Sequence, residues 1–320
     1  MSRKEVVLGI DTSNYTTSVA IMSAEGELIA NIKQLLEVGA GECGLRQSDA
    51  LFLHTKNLPA LMRQAEPYLN GCVVRAIGVS TRPRNVDGSY MPVFLSGVAV
   101  AESLSAALGA PIYRFSHQCG HIMAALYSSG RLDLLKRSFA AVHASGGTTE
   151  VLRVSGNGSG FDAELVGGTL DLNAGQVIDR VGVMLGMPFP SGAHLEKEAL
   201  RYEGKIPKRK IAVNGMHFNL SGLENMARGM HKDGKDAAEI AAFTFDFIGR
   251  SIIAALKEYI LAYGDTPVIC AGGVMCNSII KNMIKNELDA YFAEPSMSSD
   301  NAVGIAALAL SSYKSNIEIQ

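Results

Sequence analysis

Two segments of this chain repeat one pattern: an apolar strand, a turn of small polar residues, and a second apolar strand. The first copy reads VVLGIDTSNYTTSVAI at residues 6–21, and the second reads FAAVHASGGTTEVLRV at residues 139–154. Each pattern predicts a β-hairpin with hydroxyl or glycine residues at its tip. Two such hairpins, each opening one half of the chain, predict two related α/β domains.

The tips of both predicted hairpins are candidate phosphate-binding turns. Asp11 and Ser13 at the first tip could grip a phosphate or its metal ion. At the second tip, Ser145-Gly146-Gly147 would let backbone N–H groups approach phosphate oxygens, because glycine has no side chain. An ordinary hairpin turn has the same composition, so simple closure of the hairpin is the alternative.

Two α/β domains with phosphate-binding turns that face a central cleft form the actin-like ATPase architecture, also called the ASKHA or ribonuclease H-like fold. We therefore expect an N-terminal actin-like domain over residues 1–137 and a C-terminal one over residues 138–299. Residues 300–320 are expected to form a helix that returns to the N-terminal domain. A length of 320 residues, 48% of them hydrophobic, is sufficient for two such cores.

Composition narrows the class of protein without naming a ligand. The formal net charge of -2 gives no global basic field for nucleic acid, although a local patch could still bind it. No apolar run reaches the roughly 18 to 20 residues of a membrane span, and the N-terminus lacks a secretory signal pattern, which predicts a cytoplasmic protein. The five cysteines, including Cys43, form no C-x-x-C pair and predict reduced thiols.

The segment SHQCGH, residues 116–121, places two histidines four residues apart at the start of a predicted helix with Ser116 as its N-cap. Residues i and i+4 share one helix face, so His117 and His121 could bind one ion. A third ligand must come from elsewhere; a carboxylate would complete the His-His-Asp set of a catalytic zinc or iron centre. Packing or capping of the helix start is the alternative role for the pair.

Three later segments predict turns beside buried elements. Residues 167–182 predict a glycine turn and then an amphipathic helix, on which Asp179 would ordinarily be a solvated surface residue. Residues 187–194, MPFPSGAH, break the chain with two prolines and a glycine and could close over a nucleotide. Residues 268–277 predict a buried strand that runs into the Gly272-Gly273 turn, where N–H groups suit a phosphate or a sugar.

The order of these motifs along nearly the whole chain resembles one family. The motifs are IDTS, HxxxH, SGGT, AGxxxDRVxxxLGxPxPSG, AGGVxxN and SDNAxxIA. They resemble the TsaD family of tRNA threonylcarbamoyladenosine transferases, formerly called O-sialoglycoprotein endopeptidases. Any one motif is weak, whereas six in this order are specific for the superfamily.

The resemblance implies a metal site and an adenylate site. The implied metal ligands are His117, His121 and Asp300, although Asp300 taken alone predicts only the N-cap of the last helix. The implied residues for binding threonylcarbamoyl adenylate are Ser145, Gly146, Gly147, Asp179, Gly192 and Asn277.

The implied reaction transfers the threonylcarbamoyl group from the adenylate to the exocyclic amine of an adenosine in tRNA. One divalent metal, iron or zinc, would polarise the carbonyl group. ATP or the adenylate would be the nucleotide ligand. The implied partners are tRNA, an adenylate-forming protein, and a second actin-like chain in a homodimer or heterodimer.

Departures from the family pattern indicate a divergent paralogue. STRPRNVDGSY at residues 80–90 replaces a glycine-proline-glycine loop, and SGGTT replaces SGGHT. Arg82 and Arg84 could bind an anionic acceptor or be plain solvated residues. Two further hypotheses follow: a carbamoyl-type transferase with a small-molecule acceptor, and a non-catalytic nucleotide-binding partner subunit. Proteolysis is disfavoured, because HxxxH lacks the glutamate of the H-E-x-x-H protease helix.

Overall fold

The structure is a computed structural model, and it describes residues 3–13, 15–37, 45–86, 88–158 and 160–318. Cys43 and Asp87, which figured in the sequence analysis, lie outside these residues. The chain forms two compact units. The first contains the chain up to Arg137, Gly156–Asp162 and the chain from Ser296 onward, and the second contains Ser138–Ser155 and Ala163–Pro295. The sequence did not predict that Gly156–Asp162 belongs with the first unit.

The first unit is built on a five-stranded sheet. Its strands are β1 (Glu5–Asp11), β2 (Thr16–Ser23), β3 (Leu28–Leu35), β4 (Val73–Arg82) and β5 (Ile112–Ser116), and its helices are α1 (Gln47–Leu69), α2 (Phe94–Leu108), α3 (His117–Ser128) and a 3-10 turn at Leu132–Lys136. The strand order is β3-β2-β1-β4-β5. The predicted first hairpin is confirmed, since β1 pairs antiparallel with β2, and β4 runs parallel to both β1 and β5.

The second unit is built on a seven-stranded sheet. Its strands are β6 (Ser138–Ala144), β7 (Thr149–Gly156), β8 (Phe161–Thr169), β9 (Val213–Asn214), β10 (His217–Phe218), β11 (Val268–Ala271) and β12 (Ala290–Phe292). Its helices are α4 (Ala174–Met184), α5 (Gly192–Ala199), α6 (Ser221–Lys232), α7 (Ala237–Tyr263), a 3-10 turn at Gly273–Cys276, and α8 (Ser278–Glu287). The strand order is β12-β11-β6-β7-β8-β10-β9.

The two sheets share a core topology. In each, an antiparallel hairpin (β1–β2 or β6–β7) is extended on its first strand by two further parallel strands, β4–β5 in the first sheet and β11–β12 in the second. The repeat seen in the sequence therefore corresponds to a repeated order of strands. No helix of the described ranges combines the length and apolar composition needed to cross a membrane.

The chain ends with α9 (Pro295–Ser298) and α10 (Val303–Glu318), and α10 packs directly on the first sheet. β1 alternates between its two faces: Leu8 and Ile10 pack with α1 residues, whereas Gly9 faces α10. A β-carbon on Gly9 would lie 2.6 Å from the carbonyl oxygen of Ala302, and one on Gly78 would lie 2.6 Å from that of Ile305. The absence of side chains at these two positions lets the helix backbone approach the strands.

Candidate metal centre and nucleotide-binding turns

The candidate metal centre begins at the junction of β5 and α3, where the strand ends at Ser116 and the helix starts at His117. Ser116 is the N-cap, as predicted, and its hydroxyl accepts a hydrogen bond from the Cys119 N–H at 3.2 Å. His117 and His121 lie on one face of α3, and both are buried. The strand and the cap therefore fix where the two imidazoles point.

Asp300 lies beside both histidines and completes a triangle of ligand atoms. The His117 Nε2 and His121 Nε2 atoms are 3.0 Å apart, and Asp300 Oδ1 lies 3.2 Å from His121 Nε2 and 3.4 Å from His117 Nε2. Bonds of about 2.0–2.2 Å to one tetrahedral or octahedral ion require ligand separations of about 3.0–3.5 Å. The spacing and the donor types therefore fit one divalent transition-metal ion.

The Asp300 carboxylate can face the two histidines because the next residue, Asn301, caps the start of α10. Asn301 Oδ1 accepts a hydrogen bond from the Val303 N–H at 3.0 Å, and its Nδ2 donates to the Ser299 carbonyl at 2.7 Å. The alternative that Asp300 caps the last helix is thus corrected, since the side chain that meets the helix start is Asn301. Lys33 Nζ holds the same turn through the Ser299 hydroxyl at 3.1 Å.

Asp11 contacts His117 at Nδ1, the ring nitrogen that is not part of the triangle. Its Oδ2 lies 2.9 Å from His117 Nδ1, and its carboxylate also accepts hydrogen bonds from the backbone and hydroxyl of Ser13 and from the hydroxyl of Ser80. A carboxylate on one imidazole nitrogen fixes the tautomer that leaves the other nitrogen free for a metal. The sequence predicts that Asp11 and Ser13 grip a phosphate or its metal ion; in the structure both are only 1% exposed, and Asp11 contacts the histidine cluster.

The electrostatics of the cluster favour a positive charge at its centre. Burial lowers the pKa of His117, but the Asp11 and Asp300 carboxylates outweigh burial and raise that pKa to about 10. Burial raises the pKa of Asp300, yet its contacts with both histidines hold that pKa well below its usual range. The pKa of Asp11 is lowered in the same way, mainly by His117. Two carboxylates around two imidazoles can balance a divalent cation.

In the second unit, the Ser145-Gly146-Gly147 turn leaves its backbone open on one side. The Ser145 N–H donates to the Thr148 carbonyl at 2.7 Å, while β-carbons on Gly146 and Gly147 would meet no atom within 4 Å. The start of α4 abuts the other side, where a β-carbon on Gly175 would lie 2.7 Å from the Ser145 carbonyl oxygen. The turn therefore presents exposed glycine backbone next to a helix N-terminus, an arrangement that suits an anion.

Asp179 and Gly192 lie at a second junction of the same unit. Asp179 Oδ1 accepts a hydrogen bond from the Ser191 N–H at 2.7 Å, directly before α5 begins at Gly192. Burial raises the pKa of Asp179, and the Ser191 N–H only partly offsets this. One oxygen of the Asp179 carboxylate thus holds the loop that ends at Ser191. Asp179 is therefore not the solvated surface residue that its position on a helix predicts.

The Gly272-Gly273 turn ends β11 beside the end of β6. Gly272 has φ +95°, and a β-carbon there would lie 2.3 Å from the Ala144 carbonyl oxygen, so only glycine fits. Gly273 has open space around it. Asn277 Oδ1 accepts from the Ile280 N–H at 3.0 Å and so caps α8, while its amide nitrogen has no part in this bond.

Glu196 joins two of these junctions, a role that sequence analysis missed. Its Oε1 accepts hydrogen bonds from the backbone N–H of Ser278 at 2.7 Å and from the Ser278 hydroxyl. The start of α5, which carries Gly192, is thereby tied to the start of α8. No local pattern marks a glutamate for such a contact, because its partner lies 82 residues away.

The predicted residues thus fall into two groups, each within one unit. The first unit brings together His117, His121 and Asp300 with Asp11 and Ser13. In the second unit, the turns after the carboxyl ends of β6 and β11, which pair in parallel, carry Ser145, Gly146, Gly147, Gly272, Gly273 and Asn277. Asp179 lies inside α4, and Gly192 is the first residue of α5. Carboxyl ends of parallel strands are the usual place for ligands in α/β sheets.

The repeated strand order defines the class: a protein of the actin-like ATPase fold with a His-His-Asp cluster in its first unit. Solved structures show the same fold. Full-length HypF in its phosphate- and nucleotide-bound form aligns over 98% of this chain and 46% of its own, with 12% identity and a TM-score of 0.62. Component A of (R)-2-hydroxyglutaryl-CoA dehydratase from Acidaminococcus fermentans aligns over 97% and 99%, with 14% identity and a TM-score of 0.56.

The family follows from sequence comparison. The model of TsaD, tRNA N6-adenosine threonylcarbamoyltransferase, matches residues 26–307, and the chain belongs to this family of transferases. The tRNA N6-adenosine threonylcarbamoyltransferase of Neorickettsia sennetsu is 28% identical over 97% of this chain and 94% of its own length. A probable bifunctional tRNA threonylcarbamoyladenosine biosynthesis protein of Thermoplasma acidophilum is 26% identical over 98% of this chain and 57% of its own.

Proposed function

We propose that this chain is a metal-dependent transferase that moves a threonylcarbamoyl group from its adenylate to the exocyclic amine of an adenosine in tRNA. The observation that carries the proposal is the His117–His121–Asp300 triangle with Asp11 behind it, in a chain of the TsaD family. A bound divalent ion would polarise the carbonyl group of the donor. The two-nitrogen, one-oxygen donor set suits iron and zinc alike.

The protein's own residues would bind and orient the donor. Exposed backbone at Gly146, Gly147 and Gly273 offers N–H groups to phosphate oxygens without interference from side chains. The Asp179 carboxylate has the chemistry to accept hydrogen bonds from ribose hydroxyls while it holds Ser191. ATP or the adenylate is therefore the nucleotide that we assign to the second unit.

The donor must be made by another activity, and we assign it to an adenylate-forming partner. The Thermoplasma relative, named a probable bifunctional biosynthesis protein, extends well beyond the matched region. Association with a second actin-like chain, as a homodimer or a heterodimer, and a cytoplasmic location complete the proposal.

A transferase with a small anionic acceptor is the second candidate, and one feature of the first unit favours it. A cavity of about 180 Å³ is lined by residues that include Arg82, Asn85 and Arg114. Arg82 Nη2 donates to Asn85 Oδ1 at 3.0 Å, which holds the family-atypical loop over this cavity. Arg114 pairs with Glu102, whereas the contacts of Arg82 are to the neutral side chains of Thr81 and Asn85, so Arg82 is the cation that suits a carboxylate or a phosphate.

Reconstituted transfer tests the proposal. Labelled threonine, bicarbonate and ATP would be supplied with an adenylate-forming enzyme and an unmodified tRNA transcript, and the tRNA nucleosides analysed by mass spectrometry. We expect modified adenosine with the wild type and with His231→Ala, an exposed histidine outside the cluster, and none with His117→Ala or Asp300→Ala. Product on a small amine but not on tRNA would favour the second candidate. Nucleotide binding without any product would instead make the chain a non-catalytic partner subunit.

A further inference from the structure

The second unit carries a cavity that neither the metal centre nor the nucleotide-binding turns explain. Its volume is about 720 Å³. We call it the basic groove, and its charged lining residues are Lys208, Arg209, Lys210, Asp246, Arg250, Lys257 and Glu287. Five cationic and two anionic side chains leave a formal excess of three positive charges in a protein whose net charge is -2.

Both carboxylates of the basic groove already have partners. Asp246 Oδ2 pairs with Arg250 Nε at 2.7 Å, and Glu287 pairs with Lys257 at 2.5 Å. The side chains of residues 208–210 are exposed and form no ion pair with the part of the chain that the structure describes. These three cations are therefore the unneutralised charge of the groove.

Arg250 holds the backbone of the segment that carries these cations. Its Nη1 donates a hydrogen bond to the Arg209 backbone carbonyl at 2.7 Å, while its Nε is held by Asp246 one turn earlier on α7. A planar guanidinium that spans two acceptors sets both distance and direction. The segment 208–210 has no regular secondary structure, yet it is fastened to a long buried helix.

The basic groove and the Asn277 cap lie at different parts of α8. Asn277 caps the start of α8, whereas the groove contacts Met283, Asn286 and Glu287 in the second half of that helix. Ten helical residues rise about 15 Å. Met283, the groove residue of α8 that lies nearest to Asn277 in the chain, is six residues away, a rise of about 9 Å, so the groove lies beside the body of the helix and not at its capped start.

We propose that the basic groove binds the phosphate backbone of the tRNA acceptor, an inference that rests on the proposed function. Cations on an irregular segment and on α7 border a space large enough for several phosphates, and a polyanion can neutralise them all at once. The contacts carry no base information; they hold the RNA while its adenosine reaches the reaction centre. Lys208, Arg209 and Lys210 make the phosphate contacts, and Arg250 is a positioning residue.

Binding of a fluorescent, unmodified tRNA transcript to the full chain tests this, with fluorescence anisotropy measured between 50 and 200 mM salt. The test variant combines Lys208→Gln, Arg209→Gln and Lys210→Gln, and the matched control combines Lys56→Gln, Lys136→Gln and Lys232→Gln, which removes the same charge at exposed sites elsewhere. We expect the test variant to bind at least about tenfold more weakly and its salt dependence to fall by about two to three phosphate contacts. The control should stay within about twofold of the wild type.

Further measurements separate the alternatives. Thermal unfolding must show the test variant as stable as the control, since the substituted side chains are exposed. Inorganic phosphate or ATP at millimolar concentration should not displace the tRNA; displacement at low concentration would overturn the proposal in favour of a small-anion site. Equal tRNA affinity of the wild type and the test variant, or no tRNA binding by the wild type, would also overturn it.

Failure of the basic-groove proposal can be distinguished from failure of the transferase proposal. Weaker tRNA binding by the test variant, with no transfer by any form of the protein, would support the groove and contradict the transferase proposal. Transfer with an unchanged KM for tRNA in the test variant would support the transferase and contradict the groove. If both proposals are correct, the test variant should have a raised KM for tRNA and a kcat little changed from that of the wild type.

Discussion

The Nδ1 atom of His117 lies 2.9 Å from Oδ2 of Asp11, although the two residues are 106 positions apart in the chain. The Asp11 carboxylate is itself held by Ser13 and Ser80. The ring of His117 is therefore fixed at one nitrogen, and the other nitrogen faces His121 and Asp300. Four predictions follow from this arrangement and from contacts elsewhere in the two units.

Asp11→Asn should weaken metal binding while the fold is retained. The amide keeps the size of the carboxylate and an oxygen that can accept from His117, but it loses the negative charge that raises the basicity of the imidazole. Loss of such a supporting carboxylate typically costs 10- to 100-fold in metal affinity. Competition with a chromogenic zinc chelator measures it, with Asp133→Asn, an exposed carboxylate, as the control. Equal affinity in both variants would show that Asp11 has no part in the metal site.

Gly304→Ala should destabilise the first unit and weaken the metal site with it. A β-carbon on Gly304 would lie 1.8 Å from the Gly120 carbonyl oxygen, which belongs to the backbone of α3 and cannot turn aside. We expect a loss of about 3 kcal/mol or more in the free energy of unfolding, at the upper end of overpacking effects. Asp300 lies three residues before the start of α10, so metal affinity should fall as well.

Gly229→Ala is the matched control for this change. Gly229 lies inside α6, and a β-carbon there would meet nothing within 4 Å. Replacing glycine by alanine inside a helix should raise stability by up to about 1 kcal/mol. Urea unfolding of both variants checks the pair, and equal effects would show that the α3–α10 contact is not tightly packed.

Asp171→Asn should lower the free energy of unfolding at neutral pH and make that free energy less dependent on pH in the acid range. Burial raises the pKa of Asp171, but hydrogen bonds from Ser221 and from the backbone of Leu220 and Leu172 outweigh this and lower that pKa. A lowered pKa adds stability above the unfolded value of about 3.9, and this stability disappears as the pH falls through the folded pKa.

We expect the Asp171→Asn protein to be about 1 kcal/mol less stable at pH 7, since the group is largely exposed and solvent screens it. Urea unfolding between pH 7 and pH 3 measures the difference between wild type and variant. The gap should narrow as the wild type loses its advantage in acid. A gap that stays constant over this range would exclude the charge of Asp171 as its cause.

Asp179→Asn should weaken nucleotide binding with little effect on the fold. The asparagine oxygen can still accept from the Ser191 N–H, but the second carboxylate oxygen becomes an N–H₂ donor. Hydrogen bonds to charged groups contribute about 1.5–3 kcal/mol, so the Kd for ATP should rise about tenfold or more. Calorimetric titration beside Asp265→Asn, an exposed aspartate, measures the change. Unchanged affinity would remove Asp179 from the nucleotide site.

The local parts of this fold could be predicted from the sequence. The hairpins β1–β2 and β6–β7 follow from their alternating apolar runs and small-residue turns, and the start of α3 follows from the Ser116 cap. The fold class followed from the two repeated hairpins, and the family followed from the order of six motifs. These signals are carried by neighbouring residues, and each depends little on the remainder of the chain.

Contacts between distant residues could not be predicted in this way. Asp300 was proposed as a ligand only by resemblance, because alone it looks like a helix cap, and the structure gives that capping contact to Asn301. Asp11 was predicted to grip a phosphate or its metal ion, and nothing near it in the sequence shows that its carboxylate contacts His117. The roles of the metal ligands and of the nucleotide-binding residues stay predictions until ligands are measured.

The histidines and Asp300 are separated by the whole second unit, 179 residues for His121. At about 5–20 residues per second, a ribosome needs roughly 9 to 36 seconds to make that intervening stretch. The histidine pair is therefore synthesised long before its acidic ligand exists, and the complete ligand set can form only once the final helix has emerged. A nascent or truncated chain that lacks Asp300 would offer an ion an incomplete ligand set.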